Sequence, residues 1–337
     1  MLRSRTVGLN TLPCLHKLPL CVLIAGLLSL CAPPLHKMRA QAVRDLKPIA
    51  TIGAADDNLI LGAFGLAFLP RQRVLVADKL EYNIKCIDNS WHLMGSFGKR
   101  GKGDGEFRGP GSIAAAETLV AVSDFESTRV QVFTDTYKHL STFYTDGRVF
   151  DLAFDANGYL WIGKLPNARG EGLLQSDIHG NIRKNIILRH SSMNMFDNVF
   201  MMAMNGATEI VVAYMVHNTV EIWDTSGRFV REFSVPGIRP RAEQKTFSRG
   251  MFSEALTVPE DNIFMGVAVD AGGMTYLLAD QYTEHPRRDI FVVNHQGQLI
   301  SQLVLPEPSY RIFLDSHGDL FSIEGARTLI RVYNLRR

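Results

Sequence analysis

The sequence predicts an all-β fold. It reads as a six-bladed β-propeller of four-stranded antiparallel blades, with the ring closed by pairing an N-terminal strand with the C-terminal blade. Three observations carry this. One short strand-turn-strand unit recurs along the body. Apolar residues alternate with period two, and no stretch has helical period. The last copy stops one strand short, while a spare strand stands at the other end.

The repeat is clearest where Phe64-Gly65-Leu66-Ala67-Phe68 aligns with Phe150-Asp151-Leu152-Ala153-Phe154. The unit returns from Met265 and from Arg311, and more faintly at Met201 and Ser112, which makes six copies. Each begins with a short apolar strand. A turn follows, as in Asp155-Ala156-Asn157-Gly158, where Asp and Asn bond nearby amides and Gly accepts a positive φ. A second strand ends at Val76-Ala77-Asp78 or Val122-Ser123-Asp124. A third alternates, as in Arg129-Val130-Gln131-Val132-Phe133, and a fourth leads on, as in Phe229-Val230-Arg231-Glu232-Phe233.

Four short strands per copy suit propeller blades, here at 63–97, 109–143, 147–189, 197–234, 262–305 and 309–335. The sixth lacks a fourth strand, and 47–52 can supply it, which would remove the exposed sheet edges of an open array. The longest departure from the repeat is an insertion at 236–261.

The run Phe97-Gly98-Lys99-Arg100-Gly101-Lys102-Gly103-Asp104-Gly105-Glu106-Phe107-Arg108-Gly109-Pro110 resembles an NHL repeat, together with Val122-Ser123-Asp124 and Arg129 to Phe133. The body resembles six-bladed NHL-type propellers of exported bacterial proteins. Copies three and four depart from that pattern, with Lys164 and Tyr214 where the family's Asp would stand. The glycines of this run do not make a phosphate loop, because no Gly-Lys-Ser/Thr ending and no helical pattern follows.

Residues 1–42 read as an export segment. They hold five basic residues and no acid, and Leu18 to Ala32 is an apolar run of 15, short for a membrane span. Ala40-Gln41-Ala42 fits a cleavage site, so the propeller domain spans 43–337 and is expected in the periplasm or outside the cell. An uncleaved anchor, or lipidation at Cys31, would instead hold it at a membrane; no other membrane contact is expected. Cys14, Cys21 and Cys31 belong to this segment, so Cys86 has no partner for an internal disulfide. The whole chain has 36 Lys+Arg against 34 Asp+Glu, a net charge of +2. Without residues 1–42 the balance is slightly acidic, and nucleic acid is not an expected partner.

The resemblance implies that first strands line a central channel, with their entry loops on one face. Phe64, Gly111, Phe150, Phe200, Met265 and Tyr310 then stand at the channel mouth, with Gly65, Ser112, Asp151, Met201, Gly266 and Arg311 one step inward. Asp151 and Arg311 would face each other across the ring, bridged through water or gripping a polar ligand. Arg239, Arg241 and Arg249 of the insertion, with Arg129, Arg169, Arg287, Arg288 and Arg327 of nearby loops, suit an anionic group. The strand-end acids Asp78, Asp124, Asp280 and Glu324 read as acceptors for loop amides.

Only Asp151 is acidic in the inner layer, too few oxygen ligands for a calcium-dependent lactonase-like site. The histidines do not fall in zinc spacing, and no Gly-x-Ser-x-Gly elbow is present. No metal and no cofactor is expected. The sequence points to a module that binds a small molecule, glycan or protein at the mouth. A hydrolase or lyase using the same face, and a structural or assembly protein, are the alternatives.

Overall fold

The computed structural model describes residues 42–53, 59–70, 73–190, 195–205, 208–238, 242–249, 252–259, 261–281 and 283–336, with backbone alone for 195–196, 242–249 and 252–259. The expected export segment, apart from Ala42, lies outside the described residues, as do Arg239 and Arg241 and the side chain of Arg249.

Six four-stranded antiparallel sheets form the blades. Blade one runs Ala63–Leu69, Arg73–Asp78, Asn83–Ile87 and Leu93–Phe97 in spatial order. Blades two to five repeat this arrangement. Blade six combines Arg311–Leu314, Asp319–Glu324 and Leu329–Asn334 with Ala50–Ile52 from the N-terminal side. Thr51 pairs with Arg331 and Ile52 with Ile330, so the ring closes as its sequence predicts.

The blades hold together by their faces. Six clusters of buried apolar side chains form, and each joins two neighbouring blades. The cluster at the closure contains Ile52 and Ile330 beside Leu66 and Val76 of blade one. Burial of an isoleucine such as Ile52 is worth about 1.5–3 kcal/mol, so closure is driven by packing as well as by ladder hydrogen bonds.

Turns follow the residues that predict them. Asp155 accepts hydrogen bonds from the amides of Asn157 and Tyr159 at 2.9 and 3.1 Å, and Gly158 takes φ +77°. Besides a short parallel pairing of Lys99–Arg100 with Glu106–Phe107, two longer features lie outside the repeat. Ala42–Asp45 runs parallel to Leu299–Val304 and gives blade five a fifth strand, covering its outer edge. Within the insertion, Ala242–Arg249 and Phe252–Pro259 form a hairpin whose second strand lies beside the turn Met195–Asn198, at the entry to blade four.

Candidate ligand-binding site at the channel mouth

The inner strands are not regular. In blade one Ala63 pairs with Asp78 and Gly65 with Ala77, leaving Phe64 as the extra residue of a β-bulge. Phe150 is skipped in the same way between Val149 and Asp151, and Met265 between Phe264 and Gly266. A bulge turns the extra side chain out of the alternation. Here it aims Phe64, Phe150 and Met265 into one cavity of about 740 Å³. The blades approach closely below it, since a Cβ on Gly65 would lie 2.6 Å from the carbonyl oxygen of Gly111.

Tyr310, Arg311, Phe125, Arg148, Met201, Met215 and Arg327 also line this cavity. The expected set of mouth residues needs one correction. Gly111 is not among the lining residues. Blade four has no bulge: Phe200 pairs with Tyr214 and Met201 with Ala213 in regular register. Phe200 still lines the cavity, as expected, but is fully buried, packed against Phe150 and Tyr214. Met201, expected one step inward, lines the cavity beside it and is the more exposed of the two.

Asp151 and Arg311 meet across the channel, but neither water nor ligand is needed between them. Arg311 Nη2 donates directly to Asp151 Oδ1. Asp151 also accepts from the Met202 amide at 2.9 Å and from Ser112 Oγ at 3.4 Å. Both members touch a lower cavity of about 240 Å³ along the channel, and Arg311 touches the upper one as well. The pair is the floor of the mouth.

The wall above the floor is a ladder of rings and guanidinium groups. Arg148 lies 4.8 Å from the Phe125 ring, and Phe125 lies 5.0 Å from Phe64. Arg327 sits between Phe64 and Tyr310, 5.2 and 4.9 Å from their centroids. Arg287 also lies over Tyr310, at 5.6 Å. Such contacts hold a cation in place without neutralising it. The backbone is bent to deliver these arginines, with φ +60° at Arg287 and +74° at Arg327, conformations that L residues adopt at a cost.

The arginines differ in what they have left to offer. Arg287 donates to Asp280 at 2.7 Å and does not line the mouth cavity, so it braces Tyr310. Arg129 is buried and donates to Asp124 and to the carbonyls of Lys102, Gly103 and Glu106, so it organises the glycine-rich loop and offers nothing to a ligand. The amides of Lys102 and Gly103 are already held by Glu106 Oε2, at 3.0 and 2.9 Å. Arg327 is the exception. Burial holds its pKa below the usual value; Tyr310 opposes this, the like charges of Arg311 and Arg287 add to it, and no ion pair to a carboxylate offsets it among the described residues.

The strand-end acids are occupied. Asp78 accepts from the amides of Leu61, Leu80 and Glu81 and pairs with Lys85, and Glu324 is held by Tyr333 and Arg331. Where the acid is replaced, Lys164 pairs with Asp146 at 2.9 Å and Tyr214 donates to Glu221 at 3.0 Å. Among the described residues no group of three His, Cys, Asp or Glu side chains could hold a metal ion.

One histidine also has a shifted pKa. Burial lowers His217 from the ordinary 6.5, against the opposing pull of Asp197 and with a small addition from His190. Between the folded value and 6.5 the unfolded chain binds more protons, so stability rises with pH across this window and is lost as pH falls through it. Thermal melts of wild type and His217→Asn below and above 6.5 should differ in slope, with the variant flatter.

No protein-family model matches this chain, and no curated protein does. Solved structures do. The virginiamycin B lyase from Staphylococcus aureus is similar over 86% of this chain and 88% of that one, at 12% identity and a TM-score of 0.53. Hydrazine synthase of Kuenenia stuttgartiensis is similar over 83% and 97%, at 10% identity and a TM-score of 0.53. The Cps50 (Swd1) propeller domain from Myceliophteria thermophila matches over 86% and 99%, at 9% identity and a TM-score of 0.53. At such identities the likeness shows the propeller fold alone.

Proposed function

We propose that this chain is an exported propeller of the NHL-repeat type that binds a small molecule through an anionic group at the channel mouth. The observation that supports this best is the charge of the cavity. Its charged lining residues among those described are Arg148, Arg311 and Arg327, and none is acidic. A volume near 740 Å³ falls within the range of small-molecule sites, roughly 300–1,000 Å³. Arg327 stands half-buried between two rings, with no carboxylate paired to it among the described residues, which is the condition an incoming carboxylate, sulfate or phosphate relieves.

A thermal-shift screen tests the reading. Carboxylates, sulfates and phosphates should raise the melting temperature, because a ligand at a hundredfold its Kd adds about 2.7 kcal/mol. Neutral sugars and cationic peptides should leave it unchanged. A shift from sugars alone, or from no compound, would overturn an anion-binding mouth.

A further inference from the structure

The charges of the mouth are not spread evenly, and their placement narrows the ligand further. Going round the ring, blades six, one, two and three carry Arg327, Arg311, Phe64, Phe125 and Arg148. Blades four and five contribute Val199, Met201, Met215 and Met265, with no charge and no hydrogen-bonding side chain. One arc of the cavity is cationic and aromatic, and the facing arc is aliphatic and rich in methionine.

A small hydrated anion would use the first arc and leave the second wetted. Methionine is unbranched and polarizable, and it moulds itself to flexible apolar groups. From the two arcs together we infer that the ligand is an amphiphile with one carboxylate-like head and an unbranched or loosely branched apolar tail. This rests on the anion-binding reading of the same mouth and adds the tail to it. The head lies at Arg327, because Arg311 is already engaged by Asp151 in the floor and Arg148 is exposed to solvent. The tail lies across the floor against Met201, Met215 and Met265. The Phe64 ring, within 6.0 Å of both the Arg311 and Arg327 guanidinium groups, separates head from tail.

The probes are a homologous series: acetate, hexanoate, octanoate and decanoate, with decanol and decyltrimethylammonium as the neutral and cationic ends. Dissociation constants are read by calorimetry and by displacement of anilinonaphthalene sulfonate fluorescence. Each methylene that reaches the methionine wall should tighten binding, by up to about fourfold for full burial. Decanol and the ammonium amphiphile should bind at least tenfold more weakly than decanoate. Arg327→Gln should remove the preference for decanoate over decanol while keeping the dependence on chain length. Met265→Gln, at a partly exposed position, should do the reverse. Circular dichroism melts of both variants show whether they fold.

The failures separate. If inorganic phosphate and acetate bind as tightly as decanoate, with no dependence on chain length, the amphiphile is wrong and the anion-binding mouth stands. If chain length matters but charge does not, the head assignment is wrong. If neither inorganic phosphate nor any carboxylate of the series binds, both readings fall together.

Discussion

Asp151→Ala should lower the stability of the propeller by about 3–5 kcal/mol, the usual cost of leaving one member of a buried ion pair without the other. Asp151 is 4% exposed and ties three blades to its own: the Ser112 hydroxyl from blade two, the Met202 amide from blade four and Arg311 from blade six. Its removal strands the Arg311 guanidinium at the bottom of an apolar cavity and leaves the Met202 amide without that acceptor. Replacing both charges, as in Asp151→Leu with Arg311→Met, should recover most of the loss, since a buried pair exchanged for apolar groups of similar volume is close to neutral. Urea unfolding of the two single variants and the double variant forms a cycle that isolates the pairwise energy. A loss below about 1 kcal/mol in Asp151→Ala would mean that the floor of the mouth contributes little to holding the ring.

Arg327→Gln should have the opposite profile. Stability should change by less than about 1 kcal/mol, because the side chain is only half-buried and its charge is repelled by Arg311 and Arg287. Affinity for an anionic ligand should fall tenfold or more. A hydrogen bond to a charged group contributes about 1.5–3 kcal/mol, and each 1.4 kcal/mol is a factor of ten. Calorimetric titration of octanoate into wild type and variant, with melts in parallel, reads both quantities. Unchanged affinity would remove Arg327 from the site. Arg287→Gln makes a useful contrast. It breaks the ion pair to Asp280 and loosens Tyr310, so it should cost stability and weaken binding only indirectly.

Much of the fold was legible because a propeller repeats. Period-two patterning, Asp-Asn-Gly turns and six copies of one unit are local signals, and each blade interface is made by the residues that alternate inward. Closure was legible for the same reason: a missing strand at 335 and a spare one at 47–52 leave one way to pair the last sheet. The opposition of Asp151 and Arg311 followed from counting blades.

The mouth was less legible. Alignment placed Phe200 at the mouth with Phe64 and Phe150, and it does line the cavity, but with its side chain fully buried against Phe150. The difference is a bulge, present in blades one, two, three and five and absent in blade four. Nothing in Val199-Phe200-Met201 announces a regular register, because a bulge is settled by how one strand fits its neighbour. The arginines show the same limit. Arg129, Arg287 and Arg327 all follow a second strand closely, Arg129 at the start of the third strand, and look alike in sequence. One is spent on loop carbonyls, one on Asp280, and one is left to the cavity.

Sequence periodicity and turn chemistry settle the architecture of this chain, since both act over a few residues and each copy repeats the instruction. Which side chains meet in the mouth, and which arginine keeps its charge unmatched, depends on bulges and on partners brought in from other blades. Those choices arise once six sheets pack round one axis, where a shift of one residue turns a side chain from the core to the cavity.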